Sequence, residues 1–146
     1  MKCLIQRVKN AQVEIDGQIT AKINHGLLVF VCAEPTDDQS TIQKAADKIL
    51  RLRIFSDEDG KMNHSVQQIN GGLLVVSQFT LAADTRRGNR PNFTQAAKPA
   101  VGKTLYHSFV DYLKKNHPEV QSGVFGADMQ VHLINDGPVT IPLNID

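Results

Sequence analysis

A chain of 146 residues carrying 16 Lys and Arg against 15 Asp and Glu has a formal net charge of +1 at pH 7. That balance excludes a protein that coats nucleic acid over its whole surface, while leaving room for a local basic patch. With 41% hydrophobic and 21% charged residues, it reads as an ordinary soluble globule, a single domain over 1–146 that buries roughly 70% of its unfolded surface.

The opening MKCLIQRVKNAQ is broken by Lys2, Arg7 and Lys9, so it holds no signal-peptide apolar core. No run approaches the roughly 18 apolar residues of a membrane span, and a cytoplasmic location is expected. Cys3 and Cys32 lie far apart in apolar runs and fit no metal-ligand spacing, as reduced core thiols would. Val13-Glu14-Ile15 and Ile19 to Ile23 flank Asp16-Gly17, which predicts a hairpin. The unbroken apolar run Leu27 to Ala33 predicts a strand buried on both faces. Pro35-Thr36-Asp37-Asp38 then turns the chain and offers capping side chains, and Ile42, Ala45, Ala46, Ile49 and Leu50 predict a helix over about 39–53.

Ser56 to Gly72 is polar, with Asp59-Gly60 and Gly71-Gly72 as punctuation, and reads as a long loop with a short hairpin. Gly72 to Leu81 reads as a strand and Ala83 to Asn92 as a basic loop. Val101, Leu105, Phe109 and Leu113 predict a second helix over about 98–115, ended by His117-Pro118. Val120 to Phe125, Met129 to Ile134 and Val139 to Leu143 read as closing strands. The class is α+β: a mostly antiparallel curved sheet or open β-barrel with two main helices packed against it.

No phosphate-binding glycine loop, zinc-type Cys/His spacing or Gly-x-Ser-x-Gly elbow is present. His25, His64, His107, His117 and His132 are scattered, so no side-chain base stands out. Three stretches are unusual. In VVSQFTLAAD, Ser77 or Thr80 is a nucleophile, or backbone amides there bind an oxyanion. The same residues also suit ordinary cross-strand hydrogen bonding, and a hydroxyl without an adjacent base is a poor nucleophile. In DTRRGNRPNF, Arg86, Arg87 and Arg90 fall within five positions, as in a solvated loop or a phosphate-contacting one. The rest of the chain sums to −2 once these three are removed from +1, so they would stand out to a polyanion. In LINDGPVTIPLN, Gly137-Pro138 interrupts β-branched flanks. It is either a bulge between edge strands or a turn that presents carbonyl oxygens to a ligand.

Ser77-Gln78-Phe79-Thr80 followed by Asn135-Asp136-Gly137-Pro138-Val139-Thr140 resembles the paired signatures of D-aminoacyl-tRNA deacylases, which remove D-amino acids mischarged onto tRNA. The opening IQRVKNAQVEIDG, the GLLVFV strand and the RRGNRPNF loop share the likeness, which spans the whole chain. The resemblance implies a homodimer with active sites at the subunit interface, acting on D-aminoacyl-tRNA with no cofactor and no metal. It implies a cis peptide bond before Pro138, with the carbonyls of Gly137 and Pro138 lining the chiral pocket of the other subunit and Arg7 bracing them. Phe79, Phe125 and Met129 match positions around the amino acid and terminal adenosine. Ser77, Gln78, Phe79 and Thr80 match the catalytic segment, where backbone amides hold the oxyanion and the tRNA's own 2′-OH assists water. Arg86, Arg87 and Arg90 remain the expected RNA contacts. The alternative is a non-catalytic dimeric module that binds RNA ends.

Overall fold

The computed structural model covers Met1–Asp146 and is organised on one long strand, β1 (Lys2–Ile15). One edge of β1 pairs antiparallel with β3 (Gly26–Cys32) and then with β2 (Gln18–Ile23), reached through the Asp16-Gly17 turn. Both turn residues have positive φ, 50° and 76°, as a two-residue hairpin turn requires. The other edge of β1 pairs antiparallel with β8 (Gln130–Asn144).

Beyond β3 the sheet changes direction. β6 (Gly72–Ser77) runs parallel to β3, and β7 (Val120–Ser122) parallel to β6. The expected sheet is therefore refined to a mixed one, in which three pairings are antiparallel and two are parallel. The reason lies in the connections: α1 (Gln39–Arg51) lies between β3 and β6, and α2 (Pro99–Asn116) between β6 and β7. A helical crossover returns the chain to the start of a neighbouring strand, which makes the pair parallel. The polar segment after α1 contains the small hairpin of β4 (Phe55–Ser56) and β5 (Met62–His64). β2 leans across to β6, where Gly72 backs onto the Ile23 side chain, so the sheet nearly closes into a barrel.

The two faces of the sheet have separate cores. Ile5, Leu27, Val29, Leu73 and Val75 pack against Ile42 and Ile49 of α1 and Phe109 and Leu113 of α2. Val8, Val13, Ile23, Leu28, Leu74 and Val76 fill the concave side. β3 contributes to both, as its unbroken apolar run predicted. α1 begins with a capping box: the Asp38 carboxylate accepts from the Thr41 amide at 2.9 Å, and the Thr41 hydroxyl lies 3.5 Å from the Asp38 amide. Pro99 occupies the first turn of α2, where its missing N–H costs nothing. No helix is long and apolar enough to cross a membrane.

Gly26 faces Gly72 across the parallel β3–β6 pair so closely that an added Cβ would sit 2.0 Å from the Gly72 carbonyl oxygen. Backbone cannot yield as a side chain tip does, so Gly26→Ala should destabilise the fold by about 3 kcal/mol or more, read by urea unfolding. Cys3 and Cys32 are both free and buried. Burial pushes their thiols up to about 12 and about 11 respectively, Glu34 adding to the effect on Cys32. A thiol reagent at pH 8 should therefore label neither in the folded protein and both after denaturation.

Candidate active site

β6 ends earlier than its residues suggest. Gln78 donates its amide to the Val31 carbonyl at 2.8 Å as a last rung, and Phe79–Ala82 then coil into a 3-10 turn closed by Leu81 N–H to Gln78 O. The expectation of a strand through Leu81 is corrected accordingly. The amides of Phe79 and Thr80 precede the first bond of this turn, and so have no carbonyl one turn back to meet.

A cleft of about 640 Å³ opens between this turn, the start of α2 and the segment that leads into β8. Ser77, Gln78, Phe79, Phe125 and Met129 all line it, so five of the expected site residues converge. The lining is mostly apolar, and Lys98 is its only charged residue. Phe79 is 59% exposed and stands edge-on to Phe93, ring centroids 5.1 Å apart. Phe125 tilts against Tyr106 at 5.8 Å. The buried Tyr106 hydroxyl donates to the carbonyls of Val75 (3.0 Å) and Gly123 (3.3 Å), tying β6 to the segment that carries Phe125. Burial holds that hydroxyl up at about 12, so it remains a donor across the working pH range. Gly123 lacks a Cβ where one would meet Met129 Sδ at 2.6 Å, which lets Met129 lie against the chain.

Thr80 follows Phe79 in the turn but does not itself line the cleft; it is exposed, and its hydroxyl accepts from the Gln78 side-chain amide. None of the five histidines lines the cleft. His117 is buried and bonds the Gly71 carbonyl at 2.7 Å, while His132 faces Glu14 at 2.9 Å. No cluster of three or more His, Cys, Asp or Glu is arranged to hold a metal ion.

The remaining expected residues lie outside the cleft. The basic loop is pinched by an Asp84–Asn92 bridge. Arg86 folds back onto the Asp84 carboxylate with contacts of 2.8 and 2.6 Å, which lowers that carboxyl to about 2. Arg87 and Arg90 stay exposed and form no ion pair.

The C-terminal signature forms one strand rather than the two expected. β8 keeps pairing with β1 on both sides of Gly137-Pro138, with Asn135 opposite Val8 and Thr140 opposite Gln6. Asp136 to Val139 therefore bulge out opposite the single residue Arg7. Proline and glycine are tolerated because these four residues leave the ladder. The Gly137-Pro138 bond is cis. Arg7, only 9% exposed, donates from Nη1 to the Ile54 carbonyl (2.6 Å) and from Nε to the Asp136 carbonyl (3.0 Å). The Asp136 carboxylate is 3.3 Å from the same Nε. Gly137 has φ +125°, and a Cβ there would sit 3.0 Å from Arg7 Nη2. Arg7, Gly137 and Pro138 do not line the cleft of their own chain.

Phe93 and Lys98 were not anticipated as cleft residues. Phe93 ends the basic loop and Lys98 precedes Pro99, and nothing local signals that the fold brings both to Phe79.

A family description, D-Tyr-tRNA(Tyr) deacylase, matches residues 4–144. The D-aminoacyl-tRNA deacylase of Paracidovorax citrulli is 62% identical over 99% of this chain and 94% of its own length. That of Variovorax paradoxus is 60% identical over 99% of both. Among solved structures, a c-Myc DNA Unwinding Element Binding Protein superposes with a TM-score of 0.94 at 39% identity, covering 99% of this chain and 98% of that one. Matches of this identity over nearly the full length leave one assignment: the chain belongs to the D-Tyr-tRNA(Tyr) deacylase family.

Proposed function

We propose that this protein hydrolyses the ester bond of D-aminoacyl-tRNA as a homodimer in which the Gly137-Pro138 turn of one copy completes the cleft of the other. One observation carries the reading: an apolar cleft lies open beside the Phe79–Thr80 amides, while the exposed glycine-proline turn stands outside it on the same chain. β8 offers a route to bring them together. It pairs only with β1, leaving a 15-residue strand with one edge free, and a long free edge is a surface for association.

Selectivity then comes from refusal. An enzyme that accepts many D side chains cannot read side chains, so it reads the fixed substituents of the α-carbon with backbone atoms. A D residue directs its amine to the carbonyls of Gly137 and Pro138 and its side chain outward. An L residue drives its side chain into rigid backbone. Glycine offers nothing to refuse, so glycyl-tRNA is hydrolysed as well.

Ser77 and Gln78 set the turn, Phe79 and Phe125 hold the apolar faces of the terminal adenosine with Met129 beside them, and the Phe79 and Thr80 amides meet the developing oxyanion. The substrate's 2′-OH assists water, which accounts for a cleft with no histidine. Arg87 and Arg90 draw in the tRNA backbone, with Arg86 shaping the loop through Asp84. Neutralising Arg87 and Arg90 together should raise KM, flatten the salt dependence of binding by a slope of about 2, and leave the D/L rate ratio unchanged. An unaltered slope, measured by filter binding, would make the loop a solvated turn.

The competing reading is a dimer that binds RNA ends without chemistry. Incubating the purified protein with D-tyrosyl-tRNA, with and without chelator, separates the two. Release of D-tyrosine well above the spontaneous rate in both samples supports the hydrolase. Binding without release supports the module, and loss with chelator would overturn the metal-free mechanism.

A further inference from the structure

The bulge Asp136 to Val139 has no register partners in β1, so side-chain contacts decide where Gly137 and Pro138 point. Arg7 supplies two of them, both to Asp136, and its Nη2 lies close enough to Gly137 that a Cβ there would meet it at 3.0 Å. A third comes from a different element: His25, in the turn between β2 and β3, places Nε2 3.3 Å from the Asp136 carboxylate oxygen that Arg7 also faces.

His25 is itself held. Its ring stands at 86° to that of Phe55, with centroids 5.2 Å apart, and Phe55 is 1% exposed in the main core. Its carbonyl accepts the Gly72 amide at 3.1 Å, at the start of β6. Although the His25 side chain is 52% exposed, the Phe55 contact and the fixed backbone restrain the ring from following Asp136 if the bulge sways. Arg7 alone would fix the bulge from one element, whereas contacts from two separate elements on one carboxylate oxygen restrain it more fully.

We propose that His25 and Asp136 form a clamp that sets the stringency of chiral rejection, making both of them positioning residues for the Gly137-Pro138 turn. The inference rests on the chiral role proposed above for that turn. Rejection by backbone depends on rigidity: a turn that yields by a fraction of an ångström admits a small L side chain while still accepting the D amine. Loosening the clamp therefore raises the L rate, which a simple loss of folding does not do.

The test compares wild type, His25→Ala, His25→Gln and Gly137→Ala on D- and L-tyrosyl-tRNA and D- and L-alanyl-tRNA. His25→Gln keeps a donor at the Nε2 position. The expected result is a D/L ratio about tenfold lower in His25→Ala through a rise in the L rate, largest for alanine. His25→Gln should restore most of the ratio, and Gly137→Ala should change it most. An unchanged ratio in His25→Ala with an altered one in Gly137→Ala overturns the clamp and keeps the turn as the chiral element. An unchanged ratio in both overturns the turn's chiral role and the clamp with it. A fall in the D rate with no rise in the L rate makes His25 merely structural, and also overturns the clamp.

Discussion

Replacing the 2′-hydroxyl of the terminal adenosine by hydrogen will slow enzymatic hydrolysis of D-tyrosyl-tRNA by about three orders of magnitude, whereas Thr80→Ala will cost no more than about tenfold. The asymmetry follows from the surroundings of Thr80. A hydroxyl near its free pKa becomes a useful nucleophile only when a base takes its proton. The Thr80 hydroxyl instead accepts from Gln78, and neither histidine nor carboxylate lines the cleft. Asp136 is engaged with Arg7 and His25 at the bulge of its own chain. The substrate's 2′-OH sits beside the scissile ester by construction, so it needs no positioning by a side chain. Single-turnover rates, each divided by the spontaneous rate of the same ester, provide the comparison. A near-normal ratio for the 2′-deoxy substrate together with an inactive Thr80→Ala enzyme would make Thr80 the nucleophile.

Arg7→Ala will destabilise the protein by about 3–5 kcal/mol and abolish measurable chiral discrimination. The guanidinium is buried, and its loss leaves the Ile54 carbonyl without its 2.6 Å partner and the Asp136 carboxylate without its cation. It also removes the floor beneath Gly137. Arg7→Lys should fall between wild type and alanine, because one ammonium cannot reach acceptors on both Ile54 and Asp136 in the fork geometry of guanidinium. Urea unfolding at fixed protein concentration measures the first effect, with concentration held because association would shift the midpoint. A loss below about 1 kcal/mol would mean that water replaces Arg7 at both carbonyls.

Where the chain's signals are local, they were legible. Asp16-Gly17 dictates a tight hairpin, Asp38 caps α1, and the apolar period of both helices names the faces that meet the sheet. The features that escaped depend on what lies across space. Helices between strands already implied crossovers, yet the parallel direction of β6 and β7 emerges only once both helices are seen packed against one face of the sheet. The interruption at Gly137-Pro138 looks like a break between two strands because local propensity cannot register that β1 resumes pairing beyond it. Likewise Ser77 to Leu81 has strand composition, and its coil into a 3-10 turn follows from β3 running out at Cys32. Of the cleft lining, Ser77 was marked by its unusual stretch, whereas Gln78, Phe79, Phe125 and Met129 were expected through the family likeness rather than through periodicity. Phe93 and Lys98 in the cleft, and His25 beside the bulge, carry no local mark at all.

Matched rates on D- and L-tyrosyl-tRNA test chiral selection by the Gly137-Pro138 turn most directly. Purified wild-type protein should release D-tyrosine at least a hundredfold faster than L-tyrosine at equal substrate concentration, with glycine released from glycyl-tRNA at a rate between the two. Equal rates on the D and L esters would contradict it, and would leave the Gly137-Pro138 bulge a structural feature of an edge strand.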